Sequence, residues 1–262
     1  MRRARNRPGG RGLPGAAAAL LAVAVAAASA PAPAGAGEVH VAVAANFTEA
    51  ANEIGALFAA RTGHSAVFSF GSSGQLYTQI TQGAPFEVLL AADQERPRRA
   101  VEDGHGRAAS RFTYATGRIV LYSADPGLVT GAETLSEGNF TKIAIANPQT
   151  APYGAAAVEA MRALGVHDRL VPRFVHGNNV AQAYQFVATG NAELGFVALS
   201  QVATRAGGSR WVVPEDLHAT IAQDGVLLEA GEGNEAAAAF VAFLKGEEAR
   251  RVKQKFGYGA DE

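Results

Sequence analysis

The 262-residue chain contains no cysteine, and this absence excludes several kinds of chemistry. Without a thiol there can be no disulfide bond, thiolate metal site, iron–sulfur cluster, cysteine nucleophile or lipid-modified cysteine. After the first residues the chain also lacks any long basic run. We therefore expect no nucleic-acid partner, because such surfaces depend on clustered positive charge. The length allows one large domain or two modest ones, at about 100 to 200 residues per domain.

Residues 1–36 have the charge order of a secretory signal peptide. Five arginines precede an apolar run from Ala16 to Ala28, and small residues follow. Thirteen apolar residues are too few to span a bilayer, and Ala34-Gly35-Ala36 fits a cleavage site. All 24 acidic side chains follow residue 37, so the mature protein is acidic. We expect export to the periplasm, where a protein without a lipid anchor can be retained; a cytoplasmic protein with an alanine-rich start is the alternative.

From Glu38 onward, short apolar or β-branched runs alternate with helical patterns, which is typical of α/β proteins with a mostly parallel sheet. Nine strands are predicted, and helical spacing follows several of them. The strands are Val39–Val43, Val67–Phe70, Val88–Ala91, Ile119–Tyr122, Ile143–Ala146, Phe174–His176, Leu194–Ala198, Trp211–Val213 and Val226–Leu228. No flexible linker separates two halves, so we predict two domains joined by ordered crossings near residues 117–122 and 218–226. Domain 1 would comprise residues 38–117 plus 221–262, and domain 2 residues 118–220.

Four predicted strands run into a short polar or glycine-bearing turn that opens a helix. The turns begin near Asn46, Ser72, Asn147 and Asn178. Capping boxes are predicted for Asn46 with Glu49, for Ser72 with Gln75 and for Asn179 with Gln182. Helix starts present unpaired N–H groups and a positive dipole end, so several of them converging would bind an anion without lysine or arginine.

The ordered set of these segments resembles periplasmic molybdate-binding proteins of ABC transporters. It comprises Val41–Thr48, Phe70–Gly74, Gly83–Gln94, Asn147–Gly154, Asn179-Val180, Gly190–Val197, Leu244–Ala249 and Lys255–Gly257. The resemblance implies a periplasmic-binding-protein-like fold, in which two α/β domains joined by two crossover segments close over one tetrahedral oxyanion. It also implies a membrane permease as partner, a monomer, and no cofactor, metal ion or catalytic residue.

The resemblance assigns ligand-binding roles to four residues. Asn46 would donate through its side chain and backbone, and Ser73 through its hydroxyl and N–H. Tyr153 and Val180 would each supply a backbone N–H. Ala198 is a departure, since some relatives have a tyrosine there whose hydroxyl reaches the oxyanion; Asn46 or Tyr153 would compensate.

Donors without charge suit a fully ionised dianion such as molybdate or tungstate, which only accepts hydrogen bonds. A protonated phosphate would need a buried carboxylate as acceptor, and none stands at the matched positions. We therefore predict molybdate binding, with tungstate bound too, for delivery to the permease. A binder of sulfate or another oxyanion is the alternative. An exported hydrolase using Ser73 is a remote one, because the chain lacks a Gly-x-Ser-x-Gly motif.

Overall fold

The computed structural model describes residues 35–259, so the predicted signal peptide lies almost wholly outside the described residues. Within them, ten strands form two five-stranded sheets. The strands are β1 (Glu38–Ala44), β2 (Ser65–Gly71), β3 (Val88–Leu90), β4 (Phe112–Gly117), β5 (Ile119–Ser123), β6 (Ile143–Ala146), β7 (Phe174–Gly177), β8 (Leu194–Ala198), β9 (Ser209–Val212) and β10 (Ile221–Leu227).

Ten α-helices flank the sheets in the described part of the chain. They are α1 (Thr48–Thr62), α2 (Ser73–Thr81), α3 (Glu95–Glu102), α4 (Thr134–Glu137), α5 (Pro152–Ala163), α6 (His167–Leu170), α7 (Val180–Ala188), α8 (Leu199–Val202), α9 (Glu235–Leu244) and α10 (Glu247–Lys255). No helix in this described range is long and apolar enough to cross a membrane.

The two sheets repeat one arrangement. The first has the order β2-β1-β3-β10-β4 and the second β7-β6-β8-β5-β9. In each, two neighbouring pairs are parallel and two are antiparallel. Four of the five strands in each sheet run in the same direction, and only β10 or β5 runs against them, so the expectation of mostly parallel sheets is confirmed.

The chain passes between the sheets twice. It leaves the first sheet after Gly117 and enters the second at Ile119, and it returns between Val212 and Ile221. Gly117 and Ile221 are paired across β4 and β10, so the chain leaves and re-enters the first sheet at the same place. Sequence patterns missed β4 and the first half of β10, where buried polar residues such as Gln223 interrupt the apolar pattern.

The C-terminal helices α9 and α10 pack on the first sheet. Phe240 and Leu244 belong to the same buried cluster as Val39 and Val41 of β1. The rings of Phe58 and Phe240 meet edge to face at 5.3 Å, which adds to the roughly 1.5 to 3 kcal/mol gained by burying each side chain. The last helices of the chain therefore complete the core begun by its first strand.

Candidate functional site

The carboxyl ends of four strands place the four predicted turns together. β1 and β2 are parallel neighbours with Ala44 opposite Gly71, and β6 and β7 are parallel neighbours with Ala146 opposite Gly177. Helices α2, α5 and α7 begin two to six residues after their strands end, and a short 3-10 turn over Ala45–Phe47 precedes α1. Each sheet thus contributes one adjacent pair of turns.

The two pairs of turns line one small cavity. Asn46, Ser73, Tyr153 and Val180, the four residues predicted to bind the ligand, all line it. The complete lining is Ala44, Ala45, Asn46, Gly71, Ser72, Ser73, Ala92, Ala151, Pro152, Tyr153, Asn179 and Val180. Every side chain in this set is uncharged, so polarity must come from neutral donors and from the first turns of helices.

The two sides of the cavity are in direct contact at its rim. The N–H of Gly74 in α2 donates to the carbonyl of Thr150, 2.9 Å away. A Cβ on residue 74 would lie 3.1 Å from both the Cα and the carbonyl oxygen of Thr150. Only glycine allows the backbones to approach this closely without displacement, and the cavity is closed on this side.

Two neighbouring serines face the cavity with different partners. The Oγ of Ser73 accepts a hydrogen bond of 2.9 Å from the N–H of Ala92, which leaves its hydroxyl hydrogen for the carboxyl of Asp93, with which it interacts here, or for a ligand. The Oγ of Ser72 is buried and has no hydrogen-bond partner. Ser72 also forms no capping bond, so the capping box predicted with Gln75 is wrong. Its unsatisfied hydroxyl is a second candidate donor that sequence reasoning missed.

Tyr153 and Val180 lie in the first turns of their helices. Pro152 is the first residue of α5, which makes Tyr153 the second, and Val180 is the first residue of α7. The side chain of Asn179 accepts from the N–H of Gln182 at 3.0 Å, as predicted for a cap. Backbone N–H groups in a first helical turn have no partner within the helix, so both residues can donate to a ligand.

Asn46 connects the cavity to a buried polar network. Its Nδ2 lies 2.9 Å from Oε1 of Gln223, 3.1 Å from Oη of Tyr258 and 3.4 Å from Oη of Tyr153. Its Oδ1 is buried without a partner. The predicted capping box with Glu49 is wrong, because α1 begins after Phe47 and has no side-chain cap.

Gln223 is the centre of this network. Its Oε1 accepts from Tyr114 at 2.9 Å as well as from Asn46, and its Nε2 donates to Tyr153 at 3.2 Å. A Cβ on Gly117 would overlap both Tyr153 Oη and Gln223 Nε2, which explains the glycine at this crossing. Burial raises the pKa of Tyr114, Tyr153 and Tyr258, so all three hydroxyls stay protonated.

Two residues near the site do not contribute to its lining. Ala198 is fully buried at the end of β8, and its N–H donates to Gln201 Oε1 at 2.9 Å. Asp93 accepts a hydrogen bond from the N–H of Arg96 at 2.8 Å, so it caps the turn that opens α3. Burial raises the pKa of Asp93, opposed by that bond, by the charge of Arg96 and by the hydroxyl of Ser73; the Asp93 carboxyl itself is not part of the cavity lining.

Comparisons with known proteins establish the family and the fold. Residues 39–259 match the model of the bacterial extracellular solute-binding protein family. The chain is 54% identical to the molybdate-binding protein ModA of Rhodobacter capsulatus over 220 residues, or 84% of this chain and 87% of that one. The solved periplasmic molybdate-binding protein of Azotobacter vinelandii superposes with a TM-score of 0.83 at 38% identity, covering 86% of this chain and all of that one.

A sulfate-binding protein of Mycobacterium tuberculosis shares the fold alone, with a TM-score of 0.69 at 12% identity over 84% of this chain and 86% of that one. The fold is therefore common to binders of different solutes. The high sequence identities to molybdate-binding proteins distinguish this chain from binders of other solutes. The chain belongs to the bacterial extracellular solute-binding protein family, in the group of periplasmic molybdate-binding proteins of ABC transporters.

Proposed function

We propose that this protein binds molybdate, and tungstate as well, in the cavity between the two sheets and delivers the oxyanion to a membrane permease. The observation that carries the proposal is the convergence of four strand-to-helix turns on one cavity without a charged side chain. In this site Asn46 and Ser73 donate through side chains and backbone N–H groups, and Tyr153 and Val180 through backbone N–H groups alone. The unpartnered hydroxyl of Ser72 adds a further donor.

The donor set fits a dianion that carries no proton. Molybdate and tungstate accept hydrogen bonds and cannot donate them, so a lining of hydroxyl and N–H donors satisfies their oxygens. A protonated phosphate would meet no carboxylate acceptor on the lining, which disfavours it. Sulfate has the same proton-free chemistry but is smaller, so the dimensions of the cavity must discriminate against it.

Binding requires the cavity to open. We propose that residues 38–117 with 221–262, and residues 118–220, move as two domains about the crossings beside Gly117 and Ile221. Closure forms the Gly74–Thr150 contact and removes water from the donors, which strengthens their bonds to the anion. The closed, loaded protein is the form that the permease recognises. It acts as a monomer, after export to the periplasm.

A hydrolase using Ser73 receives little support from the site. The Ser73 hydroxyl contacts the N–H of Ala92, and the cavity lining contains no histidine to activate it. We therefore assign solute binding rather than catalysis.

Calorimetric titration of the mature protein with molybdate, tungstate, sulfate and phosphate tests the proposal. Tight binding of molybdate and tungstate, with sulfate and phosphate much weaker, is the expected result. Sulfate binding as tight as molybdate would instead make the protein a general binder of proton-free oxyanions. Turnover of an ester that is abolished in Ser73→Ala would point to the hydrolase.

A further inference from the structure

The carboxamide of Asn46 has one end in the buried network and one end without a partner. Nδ2 is in the network, while Oδ1 is buried and accepts no hydrogen bond. In this orientation the free end of the amide is an acceptor. An anion in the adjoining cavity would be repelled by that oxygen, whereas the proposed function needs a donor there.

The hydroxyl hydrogen of Tyr153 also lacks a partner, because it faces no acceptor. Both of its neighbours, Gln223 Nε2 at 3.2 Å and Asn46 Nδ2 at 3.4 Å, are N–H donors. The hydroxyl hydrogen therefore has no acceptor among these contacts, although the side chain is almost fully buried. Burying an unused donor or acceptor is unfavourable, so this arrangement leaves two defects close together.

Rotating one amide alone does not remove these defects. A half turn about the last side-chain bond exchanges oxygen and nitrogen with little change in shape. If only Asn46 turned, its Oδ1 would lie 2.9 Å from Oε1 of Gln223, and two acceptors would face each other. The two amides are therefore coupled and must turn together.

Rotating both amides gives Asn46 Oδ1 a donor and the Tyr153 hydroxyl an acceptor, while the hydroxyl of Tyr258 would then donate between two acceptors, the Asn46 carbonyl at 2.8 Å and Asn46 Oδ1 at 3.1 Å. Gln223 Nε2 would then stand 2.9 Å from Asn46 Oδ1 and 2.9 Å from Tyr114 Oη, and it would donate to both. Tyr114 would donate to the carbonyl of Ala91 at 3.1 Å. Tyr153 would donate to Gln223 Oε1 at 3.2 Å. The Nδ2 of Asn46 would become the free end.

We propose that Gln223 is a positioning residue for the oxyanion site, and that anion binding selects the arrangement in which the amides of Asn46 and Gln223 are both reversed. The proposal rests on the function proposed above and explains how the side chain of Asn46 comes to present an N–H donor to the anion. Gln223 does not touch the anion. It acts by holding Asn46 Oδ1, which directs the Nδ2 group of Asn46 toward the anion.

Nuclear Overhauser effects in the ¹⁵N-labelled mature protein, saturated with molybdate, test the orientation directly. The Gln223 side-chain NH₂ protons should show contacts to the ring of Tyr114 and not to the ring of Tyr153. Contacts to Tyr153 in the saturated protein would overturn the proposal. Changes in the backbone amide shifts of Ser73 and Val180 report molybdate binding independently of the amide orientation. Unchanged shifts would overturn the proposed function. Changed shifts together with contacts to Tyr153 would overturn only the orientation proposed here.

A double-mutant cycle tests the positioning role. Gln223→Met keeps the length of the side chain and removes its hydrogen bonds, and we expect molybdate binding to weaken about tenfold. In an Asn46→Ala background the same change should leave affinity nearly unaltered, because Gln223 acts through Asn46. An equal loss in both backgrounds would overturn the proposal. Gln94→Met is the matched control, since Gln94 bonds to Thr113 and Asp224 and does not line the cavity.

Discussion

The two sides of the proposed site supply hydrogen bonds in different ways. The side built on the first sheet adds the side chains of Asn46, Ser72 and Ser73 to its backbone N–H groups. The side built on the second sheet offers the backbone N–H groups of Tyr153 and Val180, at the starts of α5 and α7. A side-chain donor depends on residue type and rotamer, whereas a backbone donor depends only on where the helix begins.

This difference leaves the side chains of the second group free for other tasks. The Tyr153 side chain extends into the network with Gln223, while its N–H faces the site in our proposal. Substitutions should therefore affect the two sides unequally. On the first side the loss of a side chain removes a donor, but on the second side only proline does so.

The largest effect is expected from Val180→Pro. Proline is tolerated at the first position of a helix, and Asn179 already has the extended conformation, φ −151° and ψ 176°, that a following proline favours. The variant should fold and lose one N–H bonded to a dianion, about 3 kcal/mol of binding free energy. Calorimetry checks this, with Val180→Ala as control. Equal affinities of the two variants would show that the second side does not donate through this N–H.

The two serines should differ from each other. Ser73→Ala removes a donor to the anion and leaves the N–H of Ala92 unpaired, so binding should weaken by about 2 kcal/mol and thermal stability should also fall. Ser72→Ala removes a hydroxyl that has no partner in the protein, so only affinity should fall. Melting curves and titrations of both variants separate these outcomes. Unchanged affinity in either variant would remove that serine from the site.

Gly74→Ala tests the contact between the two sides. Its Cβ would press on the backbone of Thr150, and the closed form would lose about 1 kcal/mol relative to an open one. We expect a several-fold faster release of molybdate in stopped-flow measurements, with little change in unfolding temperature. Gln75→Ala, one residue along α2, is the control. A release rate equal to that of the control would show that closure does not involve this contact.

The smallest effect is expected from pH. No charged group lines the cavity, so molybdate affinity should be constant between about pH 6 and pH 9. Stability behaves differently, because burial raises the pKa of Tyr114, Tyr153 and Tyr258. Their contribution is fully present below the pKa of an unfolded tyrosine, about 10, and is lost as the pH rises from there toward the raised values. Denaturant titrations from pH 9 upward check this; an affinity change centred near pH 8 would reveal a titrating group at the site.

Sequence patterns located the site better than its surroundings. The turns of the second, fifth and seventh helices were predictable because each follows an apolar strand directly and carries glycine, proline or a capping residue. The resemblance then placed Asn46, Ser73, Tyr153 and Val180 in these turns and in the turn before α1, and the structure brings all four to one cavity. Their roles as ligands stay predictions.

The network behind the cavity was not predictable in the same way. Asn46 and Gln223 are 177 positions apart, and no local pattern indicates that their side chains meet. Gln223 also lies in the part of β10 whose polar residues hid the strand. The failed capping box at Asn46 has the same origin, because tertiary contacts engage its carboxamide in place of the local backbone.

The pairing of Gly117 with Ile221 makes residues 118–220 a structural insertion into a single hairpin. Directly paired residues of antiparallel strands are only about 5 Å apart, which a two-residue Asn-Gly turn can bridge. The first sheet with its flanking helices could thus be made as a continuous chain by excising those residues. One half of the binding protein would then become available on its own, with the first pair of turns open to solvent.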